Sequence, residues 1–426
     1  MVANPGKTYR GRRGRTWHFN TPFTLPSDVS LFLEGGRFRK MTNTPNNATA
    51  IALSDGFRGD LLALDIPEGV TIYRGIKVAS DTEGGFEVIA QEQQNNRGSD
   101  LHQAIHVDGD RVKLHEMRAH RFDQAASLGT DAVRRYELRL ESVDIRHYMR
   151  GLHLRSISEF WIKHYDIRSR SPNGTPDPGQ NGILMGACTD GWLSSGGIFD
   201  APEHGFRMGG PTGCERIFVS DLLCQRSGQC GFKIWTGSVG VTTKDISLGN
   251  IRCIDSGDDG DGLAFNDFGF MLQGIDRLQA SGLTAMNRDL SVSALDSFYL
   301  SGLTNGHLDG VSSINPQRHG MHISQWNGDG IQPQSFNTNI ITGYQSEMAN
   351  TTGNHVHLFF RDGYDVRDLM MPNMSFVGGN NGVRFDASTG EFPQPSYFSA
   401  IGRSLAGSLY SGQSGLSNVK TVNLMS

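Results

Sequence analysis

No stretch of this 426-residue chain stays apolar long enough to cross a bilayer, so membrane insertion is not expected. Charge is also sparse. Only 19% of residues are Asp, Glu, Lys or Arg, and the formal net charge is −5. That balance lacks the basic excess that general nucleic-acid affinity needs. Cysteine is scarce too: Cys188, Cys214, Cys224, Cys230 and Cys253 make an odd count without a CxxC pair. Neither a disulfide framework nor a zinc site is expected from them, and buried free thiols acting as small hydrophobes are. The segment Met1–Asn20 carries Arg10, Arg12, Arg13 and Arg15 but no apolar core, so a secretion signal is not expected.

What the chain does have is glycine, 54 of them, and much of it recurs in one phrase. A small polar residue and a glycine precede an apolar–any–apolar triplet. It reads Asn181-Gly182-Ile183-Leu184-Met185, His204-Gly205-Phe206-Arg207-Met208, Cys230-Gly231-Phe232-Lys233-Ile234 and Asp261-Gly262-Leu263-Ala264-Phe265. Related phrases follow at Asp296-Ser297, His319-Gly320, Asn354-His355 and Asn381-Gly382. A turn residue before a short strand with one apolar face, repeated every 23 to 35 residues, signals a solenoid of stacked coils. Further strand-like runs lie between the anchors, such as 216–222, 245–251, 307–314 and 369–376, so each coil has two or three strands. The expected architecture is all-β, a right-handed parallel β-helix over 29–386. Segments 1–28 and 387–426 would cover the exposed end coils, which otherwise invite edge-to-edge pairing.

If the apolar set faces the core, the residue two after each anchor faces out. That column reads Leu184, Arg207, Lys233, Ala264, Tyr299, His322, His357 and Arg384, and two positions further on stand Trp235, Asn266, Ser301, Ser324, Phe359 and Asp386. Cations mixed with Trp235 and Tyr299 suit a sugar-binding face: rings pack on sugar faces, and cations pair with carboxylates. Trp192 and Trp326 lie in glycine-rich turns and are candidates for the rim of that groove. Arg207, Lys233, Trp235, Tyr299, His322 and Trp326 are therefore the candidate substrate-binding residues.

The candidate catalytic residues are acids. Ser256-Gly257-Asp258-Asp259-Gly260-Asp261 leads into one anchor, and Asp296 holds the matching place one coil on. Coils stack roughly 4.8 Å apart, so Asp261 and Asp296 could form the carboxylate pair that glycoside hydrolysis uses, with Asp258 beside them. Glu203 occupies the corresponding corner two coils earlier. Asp-Gly is equally ordinary turn chemistry, in which the acid bonds backbone amides. An EF-hand-like loop lacks its Glu ligand, and His355 with His357 lack a third metal ligand, so no cofactor or metal is expected.

These glycine-anchored coils from 181 to 386 resemble the pectin-lyase-like parallel β-helix proteins, and bacteriophage tailspikes most of all. The segment Asp200-Ala201-Pro202-Glu203-His204 is similar, in permuted form, to the Asp-Pro-His-Glu signature of alginate C5-epimerases. The tailspike resemblance implies a homotrimer in the virion tail, assembled in the host cytoplasm, that binds and often cleaves bacterial surface polysaccharide. It implies attachment through the short N-terminal segment to the phage tail or an adaptor protein. Three readings stay open: a depolymerase, a non-catalytic recognition spike, and a uronate lyase or epimerase.

Overall fold

In the computed structural model the described residues are 4–45, 48–91, 102–169, 179–236, 241–257, 267–288, 296–324, 336–360, 366–387, 391–412 and 417–423. The chain forms two compact units, one of Met1–Ser171 with Gly179–Ala201 and one containing Pro202–Ser426. Both are parallel β-solenoid, about 12 turns in all.

In the second unit the anchor phrase explains the core. The residue after each anchor points inward and stacks on its counterpart in the next coil. Phe206 lies on Phe232 at 4.6 Å and 3°, and Phe270 on Phe298 at 4.9 Å and 9°. Met321, Val356 and Val383 complete that buried column in register. Each such side chain contributes on the order of 1.5–3 kcal/mol by leaving water. At Gly231 the anchor needs glycine because a Cβ there would also point inward. On Gly231 a Cβ would sit 2.7 Å from Cys253 Sγ. All five cysteines are buried and free, as small hydrophobes.

The corner after this sheet is turned by one left-handed residue per coil. Arg216, Asp245, Arg277, Asn305, Thr338 and Asp368 have φ between 52° and 60° and fall in one column. The first unit does the same with Arg111, Glu137, Glu159 and Asp190, at φ of 54°, 59°, 58° and 55°. Such backbone is disfavoured for non-glycine residues. Some of these residues bond across coils in compensation: Arg277 grips Asp245 with two hydrogen bonds of 2.6 and 2.8 Å.

The structure differs from the sequence expectation in two places. Both terminal segments, expected as covers, contain coil strands. Thr8–Arg10 pairs with Ser30–Phe32, Thr16–Phe19 with Arg37–Lys40, and Phe23–Leu25 with Thr49–Leu53. At the other end Glu391–Arg403 pairs with Val366–Gly378 and Ser417–Asn423, and Tyr410–Ser411 with Asn381–Ala387. Second, the coil assigned to the Gly262 anchor is built by Phe268–Ser281 instead. Met271, rather than Ala264, stands between Lys233 and Tyr299, and Gln273 holds the place given to Asn266. The Asp261-Gly262 phrase itself lies outside the described residues. Apolar–any–apolar triplets occur at both sites, and the sequence rhythm alone selected the wrong one.

Candidate functional site

The outer face of the first sheet in unit 2 is carried by Phe206–Gly210, Phe232–Thr236, Phe268–Ser281, Asp296–Thr304, His319–Ser324, Asn354–Phe360 and Asn381–Ala387. Register aligns Arg207, Lys233, Met271, Tyr299, His322, His357 and Arg384 along it. The expected column therefore exists, but part of it is covered: Lys233 is 5% exposed and Tyr299 4%, whereas Arg207, Trp235 and His322 are half-buried.

At one end of the face, two cations lie against an indole. The Arg207 guanidinium lies 5.3 Å and the Lys233 ammonium 5.6 Å from the Trp235 ring. Lys233 Nζ is 3.2 Å from Nε2 of His204, a fully buried ring whose Nδ1 accepts the Cys230 N–H at 3.1 Å. Nε2 also lies 3.5 Å from Glu203 Oε1. Burial, then the Lys233 and Arg207 charges, hold His204 far below the usual histidine range. Glu203 is 8% exposed and takes Arg207 Nη1 at 3.4 Å. The middle is apolar: Tyr299 stacks on Phe268 at 4.9 Å, beside Met271 and Cys230. Burial pushes the Tyr299 phenol up to about 12, so it keeps its proton at neutral pH.

The far end is built of histidines and acids. Asp296 is fully buried and saturated with donors. Arg318 donates from Nε at 2.9 Å and Nη2 at 2.6 Å, the His319 backbone N–H at 3.1 Å, and His322 Nδ1 at 3.1 Å. Burial opposes its ionisation, yet Arg318 and His322 outweigh burial and hold the carboxyl well below the usual range. A carboxylate so bound is not a proton donor at neutral pH. Here Asp296 holds the His322 ring through Nδ1 at 3.1 Å. His322 Nδ1 faces Asp296, and its Nε2 is buried without a hydrogen-bond partner. His357 repeats the device in mirror order. Its Nε2 is 2.9 Å from Asp386 Oδ2, and its Nδ1 is the buried atom without a partner. The two rings are 4.9 Å apart, so two unpartnered ring nitrogens share one short stretch of the face.

His355 points away from His357. It turns inward at an anchor position and stacks on Phe376 at 4.8 Å. There it bonds Ser346 Oγ and the Gly378 carbonyl, each at 2.8 Å. The bend that makes anchors face the core sends it inside. Trp192 belongs to unit 1, where it is exposed and stacks on Trp161 at 5.4 Å. Asp258, Asp261 and Trp326 lie outside the described residues. Among those described, no group of three or more His, Cys, Asp or Glu side chains is arranged to hold a metal. Sequence reasoning missed Arg318, which clamps Asp296, and placed Asp386 on the outer face without pairing it to His357. The Asp296 and His322 spacing could have suggested the first contact, once coil length was known.

No protein-family model matches the chain, and no curated protein sequence does. Solved structures do. Pre-mature bacteriophage phi29 gene product 12 is similar at 10% identity and a TM-score of 0.58, over 96% of this chain and 67% of that one. The A-module of an Azotobacter vinelandii mannuronan C-5 epimerase matches at 13% identity and a TM-score of 0.39, covering 92% and 91%. The catalytic domain of a GH87 alpha-1,3-glucanase in complex with nigerose matches at 11% and 0.39, covering 99% and 64%. The chain thus spans about two thirds of the phage protein and somewhat less of the glucanase domain. The likeness is one of fold, and by fold this chain is a parallel β-solenoid of the kind built by the bacteriophage protein.

Proposed function

We propose that this chain is a virion appendage that holds an acidic bacterial surface polysaccharide on the outer face of unit 2 and cuts it, with His322 as general base. The carrying observation is the Asp296–His322 pair, whose free Nε2 lies on the same column as Arg207, Lys233 and Tyr299. An imidazole oriented by a carboxylate, in a face that also holds cations, suits proton removal beside a carboxylate. In that step Nε2 takes the proton from the sugar carbon next to the carboxylate. The carbon–oxygen bond to the leaving sugar breaks, a carbon–carbon double bond forms, and Tyr299 O–H supplies the departing oxygen with a proton. Arg207 and Lys233 bind the acidic groups, and Trp235 and Trp326 pack on sugar rings. Fold likeness to a phage protein supports the virion setting. A right-handed coil, a homotrimer, and attachment through the N-terminal segment to a tail or adaptor protein complete the reading, and sedimentation of the purified chain tests the trimer.

Incubation with purified capsular and O-antigen polysaccharides decides the chemistry. Shortened chains with rising absorbance near 235 nm, lost in His322→Gln, are the expected result. Shortening without that absorbance would move the reaction to hydrolysis, and the candidates to Asp258 and Asp261 with Glu203. A glycan that binds and is never shortened would make this a recognition spike.

A further inference from the structure

His322 and His357 carry a second chemical signature, beyond the reaction proposed above. His322 stands in register with Tyr299 on the coil before and with His357 on the coil after. Its Nδ1 lies 3.1 Å from Asp296, which belongs to the Tyr299 strand. The two nitrogens of an imidazole leave the ring on opposite flanks, so Nε2 is turned toward the coil of His357. His357 is the reverse. Its Nε2 lies 2.9 Å from Asp386 on the following coil, which turns Nδ1 back toward His322. These are the two ring atoms that are buried without a hydrogen-bond partner, and the ring centres are 4.9 Å apart.

Buried polar atoms without partners call for an explanation. A carboxylate on one ring nitrogen, with the other left open, is the arrangement in which histidine binds metal: the carboxylate fixes the ring and makes the open nitrogen a better donor. Here it occurs twice, from adjacent coils, with the open nitrogens turned toward each other. The ion would sit between the two donor atoms, and both side chains still reach solvent, at 14% and 12% exposed. Each carboxylate is already matched by an arginine, Asp296 by Arg318 and Asp386 by Arg384, so charge alone draws no cation here. Imidazole donors select copper, nickel and zinc over calcium and magnesium, which take oxygen. His319 is occupied differently, its Nδ1 lying against the Asn354 amide. Among the described residues no third His, Cys, Asp or Glu completes a metal-holding group, so water fills the remaining positions.

We propose that His322 Nε2 and His357 Nδ1 are the protein ligands of a divalent transition-metal ion, with Asp296 and Asp386 as the carboxylates that hold those ligands in place. The ion occupies the nitrogen that the proposed base uses, so a loaded site is a switched-off site. That consequence rests on the reading above; the metal site itself does not.

The test is calorimetric titration of the full, tag-free chain at neutral pH with the chlorides of copper(II), nickel(II) and zinc, and with calcium chloride as control. Copper(II) should bind more tightly than nickel(II) or zinc, and calcium not at all. His322→Gln and His357→Gln should each remove that site, and Asp386→Asn should weaken it by about tenfold or more. No saturable site for any of the three transition metals, or a site kept in both glutamine variants, overturns the proposal. If the variants unfold, electron spin resonance of copper(II) on the wild-type chain decides instead. Coupling to two nitrogens is the expected result, and coupling to one or none overturns the site. The metal site and the reaction fail separately. A chain that binds the ion but cuts no polysaccharide keeps the site and loses the reaction, and one that cuts but binds no ion does the opposite. Where the chain cuts, saturating zinc should stop it and a chelator restore it; cutting that ignores the bound ion overturns the shared use of Nε2.

Discussion

The corner column of unit 2 and that of unit 1 are built from the same kinds of residue and differ in how completely they are bonded. In unit 2, Asn381 Nδ2 donates to Asn354 Oδ1 at 2.8 Å, and Asn381 Oδ1 accepts the Ser408 N–H at 3.1 Å. Asn354 in turn meets His319 Nδ1 at 3.4 Å, and His319 reaches Asp296 through its backbone. In unit 1, Gln124 and Asn181 occupy such corner positions and leave three side-chain atoms unbonded. The satisfied amide ladder of unit 2 is a structural device, and the unit 1 ladder leaves amide groups that its fold does not bond. The comparison can be attacked at both ends.

The largest effect should come from breaking the satisfied column at its charge. Asp296→Asn leaves Arg318 partly buried with no carboxylate to pair. Removing one partner of a buried ion pair costs about 3–5 kcal/mol. Since the Arg318 side chain is 41% exposed, solvent should reduce that toward the lower end. Urea unfolding would show it as a lower midpoint at constant slope. In the proposed reaction, cleavage should fall as well, because His322 loses the carboxylate that orients it. Wild-type stability in the Asp296→Asn variant would mean that the clamp contributes little.

Acid should act on both units at once. Burial lowers His106 and His153 in unit 1 to about 4, and His319 and His355 in unit 2 to about 3 and about 4. An unfolded histidine titrates near 6.5, so between that pH and about 4 the unfolded chain holds more protons than the folded one. Stability from these groups is therefore complete above pH 6.5 and lost as pH falls. The slope is about 1.4 kcal/mol per pH unit for each histidine. Asp296, held low instead, adds its loss only as pH falls below its unfolded value near 4. Urea midpoints from pH 8 to 4 should fall mainly below 6.5, and a flat profile there would contradict the buried, neutral histidines.

A smaller effect is expected from Asn381→Leu, which removes the donor to Asn354 and the acceptor for Ser408. Leaving those groups unpaired should cost about 1–3 kcal/mol, read from thermal unfolding. Asn381 is 9% exposed, so water cannot readily replace either bond.

How far all this was legible in the sequence differs between core and surface. The phrase Gly-Phe-Arg-Met around 205–208 gives away a strand, its inward face and its coil, because stacking like on like forces the pattern to repeat. The left-handed corners are not legible: Arg216, Glu137 and Glu159 are poor formers of such backbone, and the coil imposes it on them. Met271 was missed because the longer connection before it contains a better-looking anchor than Phe268-Gly269. Asp296 was found as a conspicuous acid, but its role depends on Arg318, 22 residues on, and on a coil length that propensity does not encode. Gln124 and Asn181 carried no signal, since an unmade hydrogen bond exists only in three dimensions.

The smallest effect has the most informative sign. Gln124→Met keeps length and shape but removes an amide whose Nε2 has no partner and whose Oε1 holds only the 3.4 Å bond from Gln103. Losing that weak bond costs a fraction of the usual ~1 kcal/mol, while relieving a buried unpaired donor returns about 1–3 kcal/mol. The apo chain should therefore melt at the same temperature or slightly higher. The matching change in unit 2, Asn354→Leu, should lower it, since Asn354 Oδ1 holds Asn381 at 2.8 Å. Opposite signs from the same chemical change would mean that unit 1 keeps polar groups its fold does not need. Equal destabilisation at both sites would mean that the Gln124 amide is structural, and the contrast between the two columns would disappear.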